Sequence, residues 1–172
     1  TSTKKKRGRR AHTQKINSNR KKINKKERRK AIISAISSTA NKKEVLERYD
    51  SLEDIKNKLP IIIDSNITSL KAKDLLKSLE KILGPELLRI AKRNRKIRPG
   101  RGKRRGRKYK KNAGMIFIIG NEENLKTKLF EVSRVSEIQL DNIAKGGTGR
   151  LTVYTEKAIE DLNKTYGEKK WI

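Results

Sequence analysis

The side chains best suited to chemistry here are guanidiniums and ammoniums at close spacing. From Arg89 to Lys111 the chain reads RIAKRNRKIRPGRGKRRGRKYKK, 23 residues holding 14 Lys or Arg and no acid. Arginine offers a planar fork that grips a phosphate bidentately and stacks on bases. Gly100, Gly102 and Gly106 let the backbone approach phosphate closely, and with Pro99 they bar a regular helix through the run. Charge of one sign at this density repels itself and buries nothing. The segment is therefore expected to order only against a large polyanion, and its charge density fits a phosphate backbone. A solvated basic linker or localisation patch is the plainer alternative. The residues expected to touch the polyanion are Arg93, Arg95, Lys96, Arg98, Arg101, Lys103, Arg104, Arg105, Arg107, Lys108, Lys110 and Lys111, with Tyr109 the single aromatic for stacking.

The N-terminus repeats the theme. Residues 1–30 hold 15 Lys or Arg against one acid, Glu27. Candidate contacts are Lys4, Lys5, Lys6, Arg7, Arg9, Arg10, His12, Arg20, Lys21 and Lys22 along an arm, then Lys25, Lys26, Arg28 and Arg29 in the first turns of a helix. Cations oppose the positive end of a helix dipole, so an anion at that end would convert a penalty into binding. Together the two segments account for 29 of the 47 basic residues, and the remainder carries 18 of each sign. Uniform basicity would suggest a coat on DNA or membrane. Segregated basicity suggests a neutral body that threads arms into nucleic acid.

Other chemistries are weaker. His12 has no second His and no Cys to share a metal or a proton relay, so base stacking or phosphate hydrogen bonding suits it better. Arg101-Gly102-Lys103 lacks the hydroxyl residue that would hold magnesium in a phosphate-binding loop. Gly146-Gly147-Thr148-Gly149 precedes a strand, whereas a dinucleotide loop follows one. Asp64, Asp74 and Asp141 form no recognisable two-metal constellation. No metal and no cofactor are expected, and no enzymatic activity. One aromatic in the basic run is too few for a single-strand stacking platform, and no recognition-helix, zinc-finger or zipper pattern is present. Shape recognition of a folded RNA fits these residues best.

The elements that must hold these segments follow from periodicity. Residues 1–23 have no apolar pattern and are expected to be an extended arm; residues 24–172 are expected to form an α/β body with the basic insertion at 89–111. Asn24 and Glu27 open a helix in which Ile32, Ala35, Ile36 and Ala40 recur at helical spacing, and Asn41 and Glu44 open a second, short one to about Arg48. Leu59 to Asp64 reads as a buried strand. The stripe Leu75, Leu76, Leu79, Ile82, Leu83 predicts a helix over 70–83 that stops at Gly84, and Pro85 starts a short one with Leu87, Leu88 and Ala91 apolar. Met115 to Ile119 is a second buried strand, followed by a weak helix near 123–131 and a third strand from Ser136 to Leu140. The glycine loop leads into the strand Arg150 to Tyr154. Thr155 caps a last helix with Ala158, Ile159 and Leu162 inward, and Trp171 lies in the tail. Apolar strands without alternation, each tied to an amphipathic helix, indicate a small, mostly parallel sheet with helices on both faces. The absence of cysteine is compatible with a reducing cytoplasm. No apolar run approaches the roughly 20 residues that span a bilayer.

Three motifs carry a resemblance. Gly100-x-Gly102-Lys103-x-Arg105-Gly106-Arg107-Lys108-Tyr109 before an apolar strand resembles the signature of large-subunit ribosomal protein four in its archaeal and eukaryotic form. Lys25 to Ala31 through Ala35-Ile36 to Thr39-Ala40 resembles the helix after that family's long loop. Ala144-x-Gly146-Gly147-x-Gly149-Arg150-Leu151 through Tyr154-Thr155 resembles its glycine turn and last strand. Arg9-Arg10-Ala11-His12 resembles the returning arm of the loop, with Thr13 and Gln14 where prolines are expected. The resemblance implies a body at the outside of the large subunit and a long loop penetrating ribosomal RNA toward the peptide exit tunnel. Residues 1–12 would be the inner part of that loop, and a further N-terminal segment is expected upstream. The expected partners are large-subunit ribosomal RNA and neighbouring ribosomal proteins, with no membrane and no homo-oligomer. An architectural DNA-binding or chromatin-type protein is the alternative for the same charge pattern.

Overall fold

A computed structural model describes residues 22–167. The arm from Thr1 to Lys21 and the tail with Trp171 lie outside the described residues. Helix α1 (Lys25–Ala40) begins where the Asn24 carboxamide oxygen accepts the Lys26 N–H at 3.0 Å. Helix α2 (Lys42–Arg48) begins the same way at Asn41, which accepts from the Lys43 N–H at 3.2 Å and donates to Glu44 at 3.0 Å. Ile32 and Ala35 of α1 are buried as the periodicity predicts, but Ala40 is exposed. Ser38 and Thr39 turn inward instead, which burial permits because their hydroxyls donate to the carbonyls of Ala35 and Ile36.

Strand β1 (Ile61–Ile63) is followed by a 3-10 turn, Ser65–Ser69, that Asp64 caps by accepting the Asn66 N–H. The expected buried strand is an edge strand: it pairs only with the last strand, and Ile62 is 50% exposed. Helix α3 (Ala72–Ala91) buries Leu75, Leu79 and Leu83, then Leu87, Leu88 and Ala91. The predicted break is real, since Gly84 leaves helical backbone at φ 78° and the axis kinks there before Pro85.

The cationic run is not irregular. Strands β2 (Arg95–Ile97) and β3 (Tyr109–Lys111) pair antiparallel, with a 3-10 turn at Arg101–Arg105 between them. A β hairpin spares the run the helix that its glycines forbid, and leaves all its cations but the half-buried Arg98 in solvent. Next come β4 (Ile116–Ile119), β5 (Glu131–Arg134), the single-turn helix α4 (Leu140–Ile143), β6 (Thr152–Thr155) and α5 (Glu156–Tyr166).

Four strands form one all-parallel sheet in the order β1-β6-β4-β5, with Phe117 opposite Val153 on one side and Val132 on the other. Successive residues of a strand point to opposite faces, and both faces here are covered. Met115, Phe117, Ile119, Leu151 and Val153 pack with the stripe of α3 and with Val45 of α2. Ile116, Ile118 and Tyr154 pack on the other side with Ile32 and Ala35 of α1, Ile143 of α4, and Ala158 and Leu162 of α5.

Two expectations fail between residues 120 and 140. The segment near 123–131 is a loop, because Glu123 turns inward and its carboxylate accepts from the Gly120 N–H at 2.8 Å and the Thr155 hydroxyl at 2.5 Å. The third strand is β5, ahead of the predicted Ser136–Leu140. Val132 pairs beside the core strand, while Val135 and Ile138, three residues apart, follow a 3-10 turn into the second core. Their spacing is helical rather than alternating. Thr155 caps α5 as expected, its hydroxyl accepting the Ala158 N–H at 3.2 Å.

Candidate nucleic-acid interface

The hairpin is rooted where α3 ends and β4 begins. Met115 donates its N–H to the Ala91 carbonyl at 3.0 Å, closing the two ends together. Three residues outward from Met115, Asn112 acts as a clasp: its side chain accepts the Asn94 N–H at 2.6 Å and donates to the Lys92 carbonyl at 3.0 Å. Beyond it the strands pair Arg95 with Lys111, Lys96 with Lys110, and Ile97 with Tyr109. The Arg98 N–H continues the ladder to the Lys108 carbonyl at 2.8 Å. At the tip, Gly106 closes the 3-10 turn in the left-handed region at φ 77°, and the Arg107 N–H returns to the Gly102 carbonyl.

Strand alternation sorts the cations. Arg95, Ile97, Tyr109 and Lys111 share one face of the ribbon; Lys96 and Lys110 share the other. The Arg95 guanidinium lies over the Tyr109 ring, 3.5 Å from its centroid, a cation–π contact that holds both side chains in place. Ile97 is 61% exposed beside them. All residues of both strands are exposed.

Among the described residues, no carboxylate lies within ion-pair distance of any cation from Arg95 to Lys111; only Arg93, at the root, reaches Glu131, at 3.9 Å. The root cations instead find partners within the chain. Glu131 also meets Lys145 at 3.2 Å and Arg150 at 2.9 Å. Arg150 is wholly buried, and its guanidinium donates to the carbonyls of Gly114 at 2.9 Å, Ala113 at 2.8 Å and Asn142. Burial pushes the Arg150 guanidinium down from its ordinary pKa, and Glu131 works against that. Burial pushes the Glu131 carboxyl up, but the bonds from Arg150 and Lys145 outweigh it and hold the group below the usual carboxylate value. This cluster joins β5, the glycine loop and the exit of the hairpin. Sequence reading missed it; the available signal was an arginine set between Gly149 and the apolar strand it introduces.

At the start of α1, Lys22, Lys25, Lys26 and Arg28 are exposed. Arg29 is turned onto its own chain, donating to the Thr165 carbonyl at 2.8 Å and lying 5.8 Å from the Tyr166 ring centroid. Lys4, Lys5, Lys6, Arg7, Arg9, Arg10, His12, Arg20 and Lys21 lie outside the described residues. Helix α5 leaves the C-terminal end of β6 and packs back along β6 and β4, so Tyr166 sits near the N-terminal ends of those strands. Hairpin, glycine loop and the start of α1 therefore gather on the N-terminal edge of the sheet. Nucleotide sites of open α/β sheets use the opposite edge; here that edge carries Asp64, Glu122 and Glu123. No group of His, Cys, Asp and Glu among the described residues is arranged to hold a metal ion.

Fold and surface together define a parallel α/β protein that holds a cationic β hairpin out from one sheet edge. The chain belongs to the ribosomal protein L4/L1 family, whose family model matches residues 2–165. It is similar to the large ribosomal subunit protein uL4 of Methanocaldococcus jannaschii, 40% identical over 168 residues that make up 92% of this chain and 66% of the relative. The uL4 protein of Methanosphaera stadtmanae is 38% identical over 92% of this chain and 64% of its own length, and that of Methanococcus vannielii 36% identical over 92% and 66%. The chain thus spans 64–66% of the length of these curated relatives.

Proposed function

We propose that this protein is a structural component of the large ribosomal subunit that binds folded ribosomal RNA through its two cationic segments. The arm at residues 1–23 reaches toward the peptide exit tunnel, and neighbouring large-subunit proteins share the site. The protein works by replacing counterions between RNA helices that would otherwise repel, not by catalysis. One observation carries this reading: the hairpin cations from Arg95 to Lys111 have no carboxylate partner among the described residues, and all but the half-buried Arg98 stand exposed. Family membership and the similarity to large-subunit uL4 proteins support the ribosomal setting.

The test is the salt dependence of binding to large-subunit RNA. Each phosphate neutralised adds about 0.7 to 0.9 to the slope of log affinity against log salt. With about 10 contacts engaged, the expected slope is about −7 to −9. A slope shallower than about −3 contradicts the mechanism. Preference for duplex DNA over structured ribosomal RNA in competition at moderate salt would turn the assignment to an architectural DNA-binding protein.

A further inference from the structure

Beneath the hairpin root lies a cleft of about 420 Å³, walled by Arg48 and Tyr49 at the end of α2, Arg89 and Ile90 in the last turn of α3, and Asn94 and Asn112 at the clasp. We infer that this cleft holds one nucleotide turned out of the bound RNA, with its phosphate on Arg48 and Arg89 and its base edge on the Asn94 carboxamide. The inference rests on the RNA-binding reading above.

The volume is within the range of about 300 to 1,000 Å³ usual for small-ligand sites. A cleft beside a glycine loop would ordinarily be lined by backbone carbonyls, which repel an anion. Here Arg48 covers them: its guanidinium donates to the carbonyls of Lys145, Gly147 and Thr148. Those bonds fix the guanidinium in position without neutralising its charge. Among the described residues, no carboxylate comes within ion-pair distance of Arg48 or Arg89, and the Arg89 side chain makes no hydrogen bond. Lys145, the third cation nearby, is already matched by Glu131 at 3.2 Å. Two uncompensated guanidiniums on one cleft are a bidentate grip for a single phosphate.

The rest of the lining suits a base. Asn112 has both ends of its side chain engaged in the clasp, whereas the Asn94 side chain makes no bond to another described residue. An uncommitted carboxamide offers a donor and an acceptor, the pair needed to read one edge of a base. Ile90 and Ala113 supply apolar surface for the ring. Tyr49 is held by the Leu151 N–H, which donates to its hydroxyl at 3.2 Å, so the wall is preformed.

The experiment uses the full chain bound to transcribed large-subunit RNA, with ultraviolet crosslinking and mass spectrometry of the joined peptides. The expected result is one nucleotide joined to Tyr49 or to the segment Arg89–Asn94. Two variants sharpen it, both at exposed side chains that should leave the thermal melt unchanged. Arg89→Gln should make the salt slope shallower by about 0.7 to 0.9. Asn94→Ala should leave the slope alone and weaken binding about 3- to 10-fold by loss of hydrogen bonds. Crosslinks confined to the hairpin and α1, or both variants binding as the parent does with a steep slope, overturn the cleft assignment only. A shallow slope in the parent chain refutes the RNA reading itself.

Discussion

Arg150 is completely buried and gives its guanidinium protons to backbone carbonyls and to Glu131, whereas Arg95 stands exposed on the hairpin with only a tyrosine ring beneath it. The same side chain is a bolt in one region and an open hand in the other. In the root, Arg93, Lys145 and Arg150 converge on Glu131, and backbone carbonyls take the buried guanidinium's protons, so the chain's own groups fix the geometry. In the hairpin, backbone pairing and glycine turns set the shape, and the charges are left for something outside the molecule. A protein can keep such a surface only if its stability comes from elsewhere, here from the two apolar faces of the sheet.

The sharpest way to break this comparison is to remove the bolt. Arg150→Met leaves Glu131 half-compensated and several buried carbonyls without donors, and should cost about 3 to 5 kcal/mol in urea unfolding. If the loss is under about 1 kcal/mol, the root is not what holds the hairpin to the body. The converse variant replaces Arg101, Lys103, Arg104 and Arg105 by Gln. It should make the RNA salt slope shallower by about 3 and leave unfolding within about 0.5 kcal/mol per site. A stability loss like that of Arg150→Met would abolish the distinction between the two regions.

Glycines test the same contrast. At Gly149, φ is 68° and a Cβ would overlap the backbone of Glu44. Gly149→Ala should therefore cost more than the roughly 1 to 2 kcal/mol of left-handed strain alone. At Gly106, φ is 77° but no atom lies within 4 Å of a Cβ, so Gly106→Ala should cost only that strain, confined to the hairpin tip. Amide exchange measured residue by residue would show whether each effect stays in its region.

Acid should loosen the root and spare the hairpin. Glu131 is held below its ordinary value of 4.5 in the folded protein, so its contribution is complete above that value and is lost as pH falls through the depressed folded one. Urea midpoints measured from pH 6 down to pH 3 should fall, and Glu131→Gln should flatten that part of the curve. The hairpin from Arg95 to Lys111 contains no carboxylate to protonate. Smallest of all, Tyr109→Leu removes the Arg95 stacking contact and should change stability by about 0.5 to 1 kcal/mol, visible in hairpin amide exchange rather than in the global melt.

Much of the body was readable from pattern. Asn24, Asn41 and Thr155 cap the helices they were expected to cap, and Gly84 interrupts α3 where the leucine stripe pauses. The segment from Asn121 to Leu140 was misread because its apolar residues serve tertiary contacts rather than a period: Glu123 is drawn in by Gly120 and Thr155, and Val132 pairs with the core strand one position from its neighbour's burial. The hairpin escaped notice because its cross-strand pairs are cation against cation, a pattern that carries no strand signal. Arg29 was read as a phosphate contact, and its partners Thr165 and Tyr166 lie at the far end of the chain.

The amino-acid order by itself determined where charge accumulates, where the helices capped by Asn24, Asn41 and Thr155 begin, and that the strand Ile116–Ile119 would be buried on both faces, because those are properties of composition and of a few adjacent residues. Only the tertiary structure decided which arginine is sealed inside and which are offered outward. Burial of Arg150 depends on Glu131, Gly114 and Asn142 arriving together from 19, 36 and 8 residues away, and no local pattern encodes such a meeting.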